Sequence, residues 1–338
     1  MSKLRLPLLA IGLFLVGLVS LSLGKFQVGV AESAAFLLRR CLGMSIADPE
    51  RQALLDNILL QIRLPRILAA ALIGSSLSTV GTALQAVFTN PLVSPKTMGM
   101  LAGASFGAVL GVLIADQWIV GQALALVFGF AAVGLAVAIA RLSRDNSILM
   151  LVLGGIASDA LFMALSMTGQ FLADPTTKLP TIVHWLMGNL AMANRSLVLV
   201  AAIPIVAGTL LLSLCGQQLN ALSMGEEEAR ALGVPVRFIR LFVLFLSTLL
   251  TALTILLGGG SMVGWVGLII PHAARMLFGP NNVVLLPASA LIGGAYLVVM
   301  DDISRLTFNF ELPIGVVTSL VGIPCFIIVL KNARKGWA

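Results

Sequence analysis

Apolar runs long enough to cross a lipid bilayer recur along the whole sequence, and they constrain the fold more than any motif does. A helix rises about 1.5 Å per residue, so roughly 20 residues span the hydrocarbon core. The first run extends from Leu6 to Gly24, behind Lys3 and Arg5. Further runs lie near residues 67–87, 97–115, 118–140, 147–172, 196–215, 238–258, 263–279, 283–300 and 313–330. A backbone in lipid must satisfy its hydrogen bonds internally, so these runs predict an all-α integral membrane protein of about ten transmembrane helices. A signal peptide is the rival reading of the first run. That run exceeds the usual apolar core of such a peptide, and no A-x-A site follows it.

Composition supports the same class. Of 338 residues, 59% are apolar and 10% are charged, against roughly 25% charged in soluble domains. The net charge of +7 comes mostly from basic residues in short loops. With no basic tract and no aromatic–basic interleaving, nucleic-acid binding is not expected. Lys3/Arg5, Lys96, Arg141/Arg144, Arg230/Arg237, Arg275 and Lys331/Arg334/Lys335 mark candidate cytoplasmic segments. Ten spans then place both termini in the cytoplasm. Residues 25–62 and 173–195 are expected outside and 216–238 inside, within one transmembrane domain covering 1–338.

Two breaks interrupt the array. Asn90-Pro91-Leu92 follows the span that starts near 67, and Gly258-Gly259-Gly260 to Pro271 follows the span that starts near 238. The glycine run reads as a flexible break. The two spans lie five apart and so run in opposite directions, which is the layout of an inverted repeat.

Enzymatic chemistry is missing. No G-x-x-x-x-G-K-[ST] phosphate loop occurs, so this chain is not expected to hydrolyse ATP. Cys41, Cys215 and Cys325 are widely spaced, and His184 and His272 have no ligand-type neighbours at metal-site spacing. No cofactor or metal is expected in this chain. Asp159 lies near the middle of the fifth span, where an ionisable group is costly. Two readings stay open: a carboxylate on a transport path, or a structural group bonded to Ser158 or a neighbouring helix.

An ordered set of strings resembles the FecCD-type permeases, which import iron-siderophores, haem and cobalamin. It comprises Arg63-Leu64-Pro65-Arg66; Gly81 and Gln85 before Asn90-Pro91-Leu92-x-x-Pro95; Leu222-x-x-Gly225-Glu226 before Ala229 and Leu232-Gly233-Val234; Val263-Gly264-Trp265-Val266-Gly267-Leu268 before Pro271-His272 and Arg275; Asp301 and Arg305 before Glu311-Leu312-Pro313; and Gly322-x-Pro324-x-Phe326.

The resemblance implies a type II ABC importer permease in the bacterial inner (cytoplasmic) membrane. It implies a homodimer, two ABC ATPase subunits that bind ATP and Mg, and a periplasmic or surface substrate-binding protein. The implied cargo is a metal chelate, or a metal oxyanion such as molybdate or tungstate. By the same resemblance, Leu222, Gly225, Glu226, Ala229, Leu232 and Gly233 belong to a coupling segment that meets the ATPase. Arg63, Arg66 and Arg305 match docking positions for the binding protein. Asn90, Leu92, Ser147 and Ile148 match the gate; Asp159 joins the pathway candidates only through its depth in the span. Residues 182–190, with Trp185 and Gly188, match a short outer helix beside the pore, or else an interfacial anchor at Trp185. The alternative functional class is a secondary transporter driven by an ion gradient, with Asp159 as its coupling carboxylate. A membrane scaffold without transport is a further rival, disfavoured by the polar breaks.

Overall fold

The computed structural model describes residues 2–26, 28–43, 48–115, 118–142, 148–258 and 260–333, and it is helical through most of them. The helices are α1 (Ser2–Ser22), α2 (Val30–Cys41), α3 (Pro49–Leu55), α4 (Leu64–Val87), α5 (Met100–Ile114), α6 (Trp118–Leu142), α7 (Ile148–Leu172) and α8 (Lys178–Met187). They continue with α9 (Arg195–Leu214), α10 (Gly216–Met224), α11 (Glu226–Ala231), α12 (Val236–Leu256), α13 (Val266–Phe278), α14 (Asn282–Leu306) and α15 (Ile314–Ala333). Six helical stretches among the described residues are long and apolar enough to cross a membrane, and four shorter apolar helices lie in α1, α5, α13 and α15. Together they match the ten runs read from the sequence. Large side chains such as Phe14, Leu149, Phe171, Ile203 and Leu320 point outward, as a surface solvated by lipid requires.

The second crossing starts earlier than the apolar run suggests. α3 is capped by Asp48, whose carboxylate accepts from the backbone N–H of Glu50 at 3.0 Å and of Arg51 at 3.3 Å. It continues through a π-helical stretch, Asp56–Arg63, directly into α4. Pro65 explains the wide turn. Its ring lacks an N–H and crowds the carbonyl four residues earlier, and a π-bulge relieves both.

α4 is the central post of the bundle, with almost every residue from Ile73 to Val87 buried. Small residues permit this. A Cβ on Gly74 would lie 2.1 Å from the Gly293 carbonyl oxygen of α14, and one on Gly81 would lie 1.8 Å from the Gly267 oxygen of α13. Such backbone approach replaces the hydrophobic drive that lipid removes. Ser75 adds a hydrogen bond to the Ala290 carbonyl at 2.8 Å.

The glycine run after α12 is not a flexible break. Asn189 N–H donates to the Gly258 carbonyl at 2.8 Å, and a Cβ on Gly260 would fall 2.4 Å from the Gly188 nitrogen. Gly258 and Gly260 both have positive φ, +88° and +62°. Here glycine serves a close backbone crossing rather than mobility. Trp185 of α8 is half-buried and packs against the cluster of Leu101, Ala104 and Ala108.

α4 and α12 pack together and, five crossings apart, run in opposite directions. Each leads into an irregular segment and then a short helix, α5 or α13. The inverted layout expected from the two breaks is therefore present at the level of elements.

Candidate coupling surface and translocation gate

The candidate coupling segment forms two short helices around Gly225, whose φ of +134° suits glycine. α11 closes with a Schellman motif. Val234 N–H donates to the Ala229 carbonyl at 3.0 Å and Gly233 N–H to the Arg230 carbonyl at 2.9 Å, with Gly233 left-handed at φ +78°. Glu226 holds Arg230 at 2.6 Å and Arg240 of α12 at 3.0 Å. Asn220 accepts from Asn282 N–H at 2.7 Å and donates to Asn281 at 2.9 Å. α10 is thereby clamped to the start of α14.

These contacts divide the sequence-derived coupling residues. Leu222 and Ala229 are buried in the subunit and build the segment. Leu232 is exposed, alongside Met224 and Phe238, three apolar side chains beside α11. Met224 and Phe238 were missed from sequence. The signal for them was an apolar residue on the polar side of each short turn.

The segment between α4 and α5 carries two of the candidate gate residues, Asn90 and Leu92. α4 ends with Thr89 in the left-handed region, φ +45°, an uncommon state for a β-branched residue. Asn90 N–H bonds back to the Gln85 carbonyl at 3.2 Å, and its side chain accepts from Leu92 N–H at 2.9 Å. The Leu92 side chain is exposed. The segment then packs on α7, where a Cβ on Gly155 would lie 2.6 Å from the Thr97 oxygen. Ser147 lies outside the described residues, as does the side chain of Ile148, which opens α7. Asp159 is half-buried on α7. Ser158 is not its partner, because the Ser158 hydroxyl donates to the Ala132 carbonyl at 2.8 Å.

At the opposite end of the bundle, Arg63, Arg66 and Arg305 sit where the sequence places them, at the ends of crossings. Within the subunit all three are buried. Arg66 binds Asp301 through Nε at 3.0 Å and Glu311 through Nη1 at 2.8 Å. Arg305 pairs with Asp301 at 3.3 Å and with Asp302, and it donates to Ser20 at 3.0 Å. Arg63 donates to the carbonyls of Leu21, at 2.7 Å, and Phe26. The physical reason is the cost of a lone guanidinium away from water, which carboxylates offset for Arg66 and Arg305 and backbone carbonyls offset for Arg63. A cavity of about 180 Å³ opens beside this network, lined by Arg66, His184, Asp301 and Glu311 among others. His272, by contrast, is buried edge-on to Phe326 with ring centroids 6.4 Å apart, a packing role.

Residues 12–332 match the FecCD transport family. The chain belongs to that family. FecCD relatives match over nearly the whole length. The molybdate import system permease protein MolB of Haemophilus influenzae is 36% identical over 325 residues, covering 96% of this chain and 94% of that protein. The hemin transport system permease protein HmuU of Yersinia pestis is 35% identical, covering 97% of each. A probable iron chelatin permease of Helicobacter pylori is 33% identical, covering 97% and 96%. A solved chain described as a metal-chelate type ABC transporter in an inward-facing conformation superposes with a TM-score of 0.86 at 34% identity, over 98% of this chain and 99% of that one. The PsaBC structure from Streptococcus pneumoniae, at 20% identity and a TM-score of 0.60 over 88% and 94%, shares the fold. The chain is a multi-pass permease subunit of an ABC importer of this family.

Proposed function

We propose that two copies of this chain enclose a path for a metal chelate or a metal oxyanion, such as molybdate or tungstate, in a bacterial inner membrane. Two partner ATPase subunits bind ATP and Mg and supply the energy. A periplasmic or surface binding protein delivers cargo at the α8 end, and both termini face the cytoplasm. Relatives named for molybdate, hemin and iron chelatin point to these two kinds of cargo.

One observation carries the reading. Met224, Leu232 and Phe238 are exposed and make the proposed apolar ridge, while their segment is bonded to α12 through Glu226–Arg240 and to α14 through Asn220. A partner pressing on the ridge moves both helices. α14 lies along α4 through Gly74 and Gly293, and α4 ends in the segment that holds Asn90 and Leu92. Displacement at the ridge thus reaches the gate through packed elements, with Gly225 and Gly233 fixing the shape of the lever. At the other end, Arg63, Arg66 and Arg305 brace the surface on which the binding protein sits, acting through the shape of the rim.

The test is copurification of the chain with an ABC ATPase. The reading expects a stable complex whose ATP hydrolysis rises on adding the loaded binding protein. A chain that recruits no ATPase, or that transports alone and stops on adding an uncoupler, would overturn it.

A further inference from the structure

The two interrupted segments, 88–99 before α5 and 260–265 before α13, meet inside the bundle. Lys96 is a point of contact. Its Nζ lies 5.9 Å from the centroid of the Trp265 ring, and a Cβ on Gly264 would fall 3.6 Å from Lys96 Cβ. The same segment closes on α7, where a Cβ on Gly99 would lie 3.1 Å from the Asp159 nitrogen. Three elements therefore converge on one lysine, one tryptophan and one aspartate.

Helix lengths place this junction at depth. α5 has 15 residues and α13 has 13, rises of about 22 and 20 Å against a core of about 30 Å. The two helices start from opposite ends of the bundle, so their leading segments touch only because both reach inward. Interrupted helices meeting near mid-depth at the interface of two repeats are where transporters of other kinds contact their cargo.

The charges are arranged for a transient contact. The Trp265 face stabilises an ammonium without neutralising it. Asp159 lies beside the same segment, through its backbone at Gly99, and among the described residues it forms no salt bridge with Lys96. Lys96 is exposed, and Trp265 and Asp159 are half-exposed, so the junction has an open side. Lys96, which the sequence alone places among the cytoplasmic-side basic residues, belongs to a segment that folds back against Trp265, and a cation drawn inward in this way is costly and suggests a pathway.

We propose that the Lys96–Trp265–Asp159 junction is an anion-contact site on the path. Lys96 receives an oxyanion or a carboxylate of the passing cargo. Asp159 competes for the same ammonium and keeps the contact short-lived, since conduction needs binding that is also easily lost. This inference rests on the permease reading and adds the charge sign of the cargo.

Trp265 supplies the probe. With Trp118, Trp185 and Trp337 changed to phenylalanine, the purified permease in detergent is titrated with sodium molybdate at constant ionic strength. A saturable change in Trp265 fluorescence is expected. Lys96→Gln should abolish it and Lys96→Arg should keep it. Asp159→Asn should lower the half-saturating molybdate about fivefold by removing the competitor. An unchanged response in Lys96→Gln would overturn the site. So would no saturable response in a protein that still supports ATP-driven uptake with its partners, and that outcome leaves the permease reading intact. Loss of ATP-driven uptake itself would instead strike at the permease reading.

Discussion

Glu226 on α11 grips Arg240 on α12 at 3.0 Å, so an exposed cytoplasmic-type turn is fixed to a membrane helix. The pair is partly exposed, at 38% and 21% of the side chains, and contributes about 0–1 kcal/mol to stability. Its effect on coupling should be much larger. Glu226→Gln is expected to leave the melting temperature nearly unchanged while lowering cargo moved per ATP hydrolysed. The exchange Glu226→Arg with Arg240→Glu should recover part of the loss. Both quantities are read in proteoliposomes containing the complete importer.

Leu232 tests the ridge itself. It is 64% exposed, so Leu232→Asp removes no internal packing. Expression and thermal stability should match the parent, while copurification with the ATPase falls at least about tenfold, the scale of one lost apolar anchor. Retention of the ATPase at the parental level would move the contact surface elsewhere.

Much of this was legible in the sequence, and the limits have physical causes. The ten crossings follow from length and apolarity alone. The short helix between Gly225 and Gly233 follows from its acidic start and glycine stop, and the Schellman bonds to Ala229 and Arg230 bear it out. Side-chain direction was not legible. Arg63, Arg66 and Arg305 stand at helix ends in the sequence, and only the fold brings Asp301 within 3.0 Å of Arg66 from 235 residues away. The glycines at 258 and 260 look mobile in sequence, because nothing there shows that residues 188–190 cross over them. Leu222 and Ala229 turn inward while Leu232 stays exposed, because a short helix has an inside that the sequence does not mark.

Arg66 should be the most sensitive of the three arginines. It spans Asp301, with 1% of its side chain exposed, and Glu311 at once. Arg66→Met leaves a buried carboxylate short of a partner, a loss of about 3–5 kcal/mol. Arg66→Lys should recover little, since an ammonium lacks the fork that reaches both acids. Thermal unfolding in detergent measures each. If a binding protein also docks more weakly to these variants, the loss should track the loss of stability.

The close approach of α4 to α13 gives a steric prediction. A methyl group on Gly81 would sit 1.8 Å from the Gly267 oxygen, whereas a Cβ on Gly134 meets nothing within 4 Å. Gly81→Ala is expected to cost about 1–3 kcal/mol or to prevent assembly of the bundle. Gly134→Ala should be silent in the same unfolding assay.

The most direct test of the central claim is uptake into proteoliposomes holding this permease, its ATPase and the loaded binding protein. Radiolabelled molybdate and a ferric chelate serve as alternative cargos. The account predicts accumulation of one of them only with ATP inside the reach of the ATPase, unaffected by an uncoupler and abolished when the ATPase is omitted. Accumulation by the permease alone, driven by an ion gradient, would contradict it.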